Sequence, residues 1–528
     1  MPRLPHGKPV TLEDFQAARE ALAESSADIA LGFAAARPVV TQDFGFLFPE
    51  LQNDPDNLLP ESRATRDALV ELGRAMVDTG GDAGGGDSRI PAAYTYFGQF
   101  VDHDITLEAG SASLPDLVDP DLVPLTPDQI EDRLQNGRTA TLELDSVYGI
   151  QAPRNGAKMR IGKVTPLNGG GAPFLRPPGK DDSNDLPRKG RSEVAELDRA
   201  AKIGDARNDE NTIIAQLHVA FLRAHNELVG QDKKFGEANR ILRQHYQHIV
   251  LHDFLKRIVD PQVVDETIDE NRVYRPDADK VFMPLEFAVA AYRFGHSMVR
   301  AAYDFNLNFN TSGDPGTTPA TLFPLLFTFT ALSGQLGEFD TLPDNWIIEW
   351  ENLVDAGQPF NRTRRIDTKL VEPLFQLTDF QGRPRREDRA RLAVRNLLRG
   401  YLLRMPTGQA IAHALQQKLS GVRNIPVLGP NRIRDAAASP EQAQVLEDGG
   451  FLERTPLWYY VLAEAAALEN GRRLGPVGGT IVAEVLVGLV RRSGNSILRG
   501  DEWTPSLPSE DQGKFTLTDL LRFAGVLD

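Results

Sequence analysis

The chain has no cysteine. Disulfides, thiolate metal sites and cysteine nucleophiles are therefore excluded outright. It also lacks positive charge. Its 58 Lys and Arg stand against 74 Asp and Glu, for a formal net charge of -16 and a pI near 5.2. A nucleic-acid partner needs a basic footprint, and none shows. The same balance argues against docking to anionic lipid. No run reaches the roughly 18 apolar residues of a membrane span. The opening Met1-Pro-Arg-Leu-Pro-His-Gly7 has no apolar signal core, which points to a cytoplasmic location or a non-standard export route. What remains is ordinary globular composition over 528 residues, 41% hydrophobic and 25% charged.

Apolar residues recur mostly at the helical period, and strands are scarce. Amphipathic spacing predicts a helix within 12–36, with Phe15, Ala18, Leu22 and Ile29 apolar. Residues 38–60 read as an extended, proline-containing arm. Further helices are expected at 61–78, at 94–107, from Asn211 through Leu228, at 236–259 (stopped by Asp260-Pro261), and at 287–302. Others follow at 388–404, 408–419, 456–467, 477–491 and 517–523. Residues 110–126 and 150–205 are loop-dominated, with one hairpin at 157–164. The expectation is a mainly α protein with long loops and few short strands. Residues 1–60 form an N-terminal helix and arm, and 61–528 form one large helical domain.

Candidate chemistry concentrates in a few stretches. In Gly98-Gln-Phe-Val-Asp-His-Asp104, helical spacing puts Gln99, Asp102 and His103 on one face, while Asp104 points elsewhere. Burying that imidazole and its carboxylate neighbours costs several kcal/mol unless something pairs with them. Thr139, Thr141, Glu143 and Asp145 alternate along an extended run. This pattern suits either oxygen ligands closing on a hard cation or a solvated edge strand. Arg207 and Glu210 are three apart at a helix start, where charges also serve as caps. Arg293-Phe-Gly-His296 lies in an apolar segment, so His296 is a buried imidazole, either a ligand or a core residue bonded to backbone. Asn396, on another apolar helix, needs partners and could accept a ring proton from a metal-bound histidine. His245, His248 and His252 offer ligand spacing, but the run His248-Ile-Val-Leu-His252 lacks the glutamate of a zinc-protease motif, and packing is the simpler reading.

Taken together, Gly98–Asp104, Arg207–Glu210, Arg293–His296, Asn396 and the run Leu142–Gly149 resemble the animal-type haem peroxidases of the peroxidase–cyclooxygenase superfamily, in one of its bacterial branches. The resemblance runs from about residue 60 to the C-terminus. It implies haem b and calcium as cofactors. His103 would be the distal base, Arg207 the distal arginine, and Gln99 a partner of distal water or halide. His296 would be the proximal iron ligand, with Asn396 accepting its ring proton and Arg293 steadying the proximal side or a propionate. Asp102 and Glu210 match the carboxylates that can esterify haem. Asp104, Thr139, Thr141, Glu143 and Asp145 would bind calcium.

The implied activity is reduction of hydrogen peroxide with oxidation of bromide, iodide, thiocyanate or phenols through a high-valent iron–oxo intermediate. Asn211 stands where a mammalian branch carries a haem-linked methionine, which argues against efficient chloride oxidation. A fatty-acid dioxygenase of the same superfamily is the alternative. However, Arg293 occupies the place of the cyclooxygenase radical tyrosine, and Tyr292 is turned from it by about 100° on a helix. A silent helical interaction or adhesion module is a third reading. The intact His103, Arg207 and His296 set speaks against it.

Overall fold

A computed structural model describes residues 10–11, 42–78, 87–110, 115–149, 152–167, 174–194, 197–276, 281–310, 321–322, 326–327, 329–330, 336, 338–377, 387–500 and 502–528. The helix expected at 12–36 and the glycine runs at 79–86 and 169–171 lie outside them. The architecture is mainly α, with short strands at the margins.

The helices that frame the centre are α1 (Arg63–Ala75), α2 (Ala93–Ile105), α3 (Thr212–Gly230), α4 (Phe235–His248), α5 (Leu392–Leu402), α6 (Gly408–Lys418), α7 (Leu457–Glu469), α8 (Pro476–Arg492) and α9 (Leu517–Phe523). Their starts follow local chemistry. The Ser62 side chain accepts from Thr65 N to cap α1, and Asn211 accepts from Ile214 N to cap α3, each at 3.0 Å. Helix α2 has no side-chain cap and is buried on most sides. Its position comes from packing. Phe100 stacks on Phe221 of α3 with centroids 4.7 Å apart. Phe97 meets Tyr246 of α4 edge to face. Aromatic pairs of this kind are worth about 0.5–1.5 kcal/mol each beyond the area they bury.

Helix α5 crosses α1 at Gly73, where a Cβ would stand 2.7 Å from Val394 backbone atoms. The glycine therefore sets how closely α5, which carries Asn396, approaches. One large apolar cluster takes in residues from Phe44 to Leu527, and a small satellite holds Leu186, Ile203, Ala215 and Val219.

Three expectations need correction. The stretch 38–60 is not an extended arm where it is described. After a strand at Gln42–Gly45 it folds into two tight 3-10 turns, Pro49–Asn53 and Pro55–Asn57. Each proline opens its turn with φ already set, and the Asp54 side chain accepts from Asp56 N. Phe48 is fully buried, and Glu286 accepts from Leu47 N and Phe48 N.

Second, 287–302 is not a regular α-helix. Glu286–Ala290 is a wide π turn and Ala291–Met298 a 3-10 segment. Side chains take carbonyls that an α-ladder would use: Arg293 Nε donates to Ala288 O, and Trp458 Nε1 donates to Arg293 O.

Third, 139–149 contains no strand. Leu144 is left-handed at φ 55°, and Asp145–Tyr148 makes one helical turn. The helix expected at 236–259 runs from Phe235 to Ile258 with a π segment at Ile249–Phe254.

Candidate functional site

The end of α2 is held from several sides. Asn136 Nδ2 donates to Ile105 O, and its Oδ1 accepts from Leu107 N. Arg207 Nη2 donates to His103 O at 3.1 Å and to Thr106 O. These bonds satisfy carbonyls that a helix C-terminus leaves unpaired. Arg207 is held in turn by Asp205, whose carboxylate also pairs with Arg138. Burial alone would push the Asp205 carboxyl up. The two guanidiniums win and hold it well below the usual carboxylate range. Arg207 Nη1 makes no hydrogen bond among the described residues.

His103 is buried, and its Nδ1 lies 2.9 Å from Asn208 Oδ1. No described residue bonds its Nε2. Burial first, then the Arg207 charge, lowers its pKa to about 4, so the ring is neutral at neutral pH. Asp102, on the same face, accepts from Thr106 Oγ1. Gln99 Nε2 donates to Glu210 Oε2 at 3.4 Å, and Asn211 Nδ2 donates to Gln99 Oε1 at 3.2 Å. The structure thus brings Gln99, Asp102, His103, Arg207 and Glu210 into one neighbourhood.

The segment carrying His296 packs against this helix. Tyr292 Oη donates to Gly98 O at 3.2 Å, and Asp102 is within electrostatic range of Arg293. A Cβ placed on Gly295 would meet nothing within 4 Å, so open space lies beside the backbone one residue before His296. That space, an imidazole next to it and an arginine beside it fit a flat anionic macrocycle with a nitrogen-bound metal. Asn396 lies 2.9 Å from His296 Nδ1, but its nitrogen faces the ring, because Oδ1 accepts from Arg293 Nη1 at 2.8 Å. The expected acceptor role for Asn396 is therefore not the arrangement seen. A metal on Nε2 needs the proton on Nδ1, hence a turned amide and a new acceptor for Arg293.

Asp104 points away from this face. Its carboxylate accepts from Leu144 N and Ser146 N, and Thr139 Oγ1 donates to Asp145. Burial and the nearby Asp145 raise the Asp104 carboxyl to about 7. Two carboxyl groups so placed favour a cation. Glu143 turns elsewhere: it accepts from Gly494 N and faces Arg243 at 3.5 Å. Thr141 N donates to Thr139 O. Among the described residues, no three His, Asp or Glu side chains group to hold a metal.

His245, His248 and His252 are held by packing and local hydrogen bonds. His245 Nδ1 donates to Ile241 O, and its Nε2 accepts from Ser506 N and Leu507 N. His248 and His252 stack against each other with Trp503 beside them.

Sequence reasoning missed Asp205, Asn208 and His218. Asn208 lies inside the Arg207–Glu210 run, and His218 interrupts the apolar stripe of α3, which was the available signal.

The animal haem peroxidase family model matches residues 126–323. That span includes Arg207, Glu210, Arg293, His296 and the 139–145 loop. Over that span the chain is similar to the animal haem peroxidase family. A peroxidase-like protein of Margaritifera margaritifera is 29% identical over 33% of this chain and 22% of its own length. Thyroid peroxidase of Canis lupus familiaris is 26% identical over 64% of this chain and 36% of its own length. The chain thus spans well under half the length of these curated relatives. Among solved structures, peroxidase A from Dictyostelium discoideum shares the fold at TM-score 0.57 and 15% identity, covering 93% of this chain and 94% of that one. A fatty acid alpha-dioxygenase from Arabidopsis thaliana does so at TM-score 0.50 and 13% identity, covering 86% and 73%.

Proposed function

We propose that this protein is an animal-type haem peroxidase that binds haem b through His296, reduces hydrogen peroxide and oxidises small donors such as bromide, iodide, thiocyanate or phenols. The observation that carries the reading is His103: a neutral, buried imidazole, bonded at Nδ1, whose Nε2 no described residue bonds. Bound haem supplies the electrons that break the peroxide O–O bond. His103 Nε2 takes the proton from hydrogen peroxide and returns it to the departing oxygen, which leaves as water. General acid–base help of this sort is worth roughly 10²–10⁴-fold. Arg207, anchored by Asp205 with Nη1 uncommitted, is suited to stabilise charge on that oxygen. Gln99 and Asn211 supply amide groups for a small anion or water. Asp102 and Glu210 are the candidates for ester links to haem. Calcium would take Asp104, Thr139, Thr141 and Asp145, with Glu143 joining only by leaving Gly494 and Arg243.

One observation favours a second reading. Tyr292 is buried, and its hydroxyl reaches the distal helix at Gly98 O. A fatty-acid dioxygenase could use such a phenol. Oxygen uptake with unsaturated fatty acid that disappears in Tyr292→Phe would establish that reading over the peroxidase one. The peroxidase reading is tested by absorption spectra of the haem-loaded protein before and after hydrogen peroxide, followed by a halide and phenol panel. A peroxide-induced change that each donor reverses is expected. A spectrum indifferent to peroxide would overturn the reading.

A further inference from the structure

Behind His103 lies a row of three polar groups closed off from solvent. His103 Nδ1 is 2.9 Å from Asn208 Oδ1, and Asn208 Nδ2 is 2.9 Å from His218 Nδ1. His103 is 1% exposed, and Asn208 and His218 are 0% exposed. Asn208 comes from the 3-10 turn Ala206–Asp209, and His218 from the second turn of α3. No described residue bonds His218 Nε2, and Phe100 lies across from that ring edge to face.

An amide between two imidazoles has a direction. Its oxygen can only accept and its nitrogen can only donate. With the oxygen towards His103, the His103 proton must sit on Nδ1, which leaves Nε2 bare. With the amide reversed, Nε2 would carry the proton and could take no other. The placement of His218 decides between the two. Its Nδ1 lies 2.9 Å from Asn208 Nδ2, which can only donate, so His218 Nδ1 is the bare nitrogen, its proton sits on Nε2, and the amide oxygen is left towards His103.

We propose that Asn208 and His218 are positioning residues that fix His103 in the tautomer with a bare Nε2. The proposal rests on the reading of His103 as the base that deprotonates peroxide. The row does further work once His103 is protonated. The Nδ1–H of the imidazolium keeps its acceptor, and the bond becomes charge-assisted.

The test uses the full-length, haem-loaded protein with 15N-labelled histidine, in the diamagnetic ferrous carbon monoxide form. His103 ring signals are assigned by their loss in His103→Gln. Wild type should show a protonated Nδ1 and a bare Nε2. Asn208→Leu and His218→Leu should give mixed tautomers and a peroxide reaction slower by roughly 10- to 100-fold, part of the range for a general base. His218→Gln can still accept from Asn208, and Asn208→Asp still presents an acceptor to His103. Both should keep the wild-type tautomer and react within a few fold of wild type. A protonated Nε2 in wild type overturns the proposal, as does an unchanged tautomer in both leucine variants. If the leucine variants do not fold, loss of the wild-type tautomer in His218→Gln overturns it. Correct tautomers in every variant, in a wild type inert to peroxide, would overturn the peroxidase reading and leave the positioning role standing.

Discussion

Replacing Asp205 by Asn should loosen the distal side more than any change at its exposed residues. Asp205 is 2% exposed, pairs with Arg207 at 2.8 Å and with Arg138, and accepts from Arg207 N. Removing one member of a buried ion pair typically costs about 3–5 kcal/mol, because the other charge stays buried. Asn keeps one acceptor, so the lower end, about 3 kcal/mol, applies. The carboxyl is held below its ordinary value, so the sign is fixed. Its contribution is complete above the unfolded value of about 3.9 and is lost as pH falls below it. Urea unfolding of wild type and Asp205→Asn at pH 7 and near pH 3 measures this. The gap should be about 3 kcal/mol at the higher pH and shrink at the lower, where the unfolded carboxyl takes up a proton that the folded one, held below its ordinary value, does not. A gap under about 1 kcal/mol at pH 7, the level of a surface pair, would refute the reasoning.

Other consequences are as direct. His103→Ala should bind haem normally and lose roughly 10²–10⁴-fold in the rate of reaction with peroxide, measured by stopped-flow absorption. In wild type that rate should be flat across neutral pH and fall as pH drops through about 4, where His103 gains its proton; a fall centred near the ordinary histidine value would contradict the burial argument. Calcium at about 100 times its dissociation constant should add about 2.7 kcal/mol of stability, and Asp104→Ala should abolish the response in thermal melts. Ester links through Asp102 and Glu210 should keep haem with the protein in acidified organic solvent after peroxide treatment. Complete extraction contradicts them.

Elements whose stability is local were legible in the sequence. Helix α3 begins at Asn211 as its pattern leads one to expect, and α9 spans Leu517–Phe523 as expected, with Thr516 as its cap. The Gly98–Asp104 run was legible as a helix with one polar face because the buried apolar residues Phe97, Phe100 and Val101 fall at the helical period beside Gln99, Asp102 and His103. The His296 segment was not, because its backbone is set by bonds from Trp458, 165 residues away, and from Arg293 back to Ala288. The 139–149 loop failed for the same reason: Asp104 holds two of its amides from 40 and 42 residues off. Asn208 and His218 lie in the Arg207–Glu210 run and in the helix from Asn211, and neither was singled out. Their meaning lies in a contact with His103 that no spacing along the chain reveals.

The central claim is that His296 holds the iron and His103 works across from it. The decisive measurement is the absorption spectrum of His296→Ala beside that of His103→Ala, each loaded with haem under one protocol. The account predicts that the first loses the wild-type Soret band and the second keeps it. A His296→Ala protein with an unchanged spectrum would contradict it.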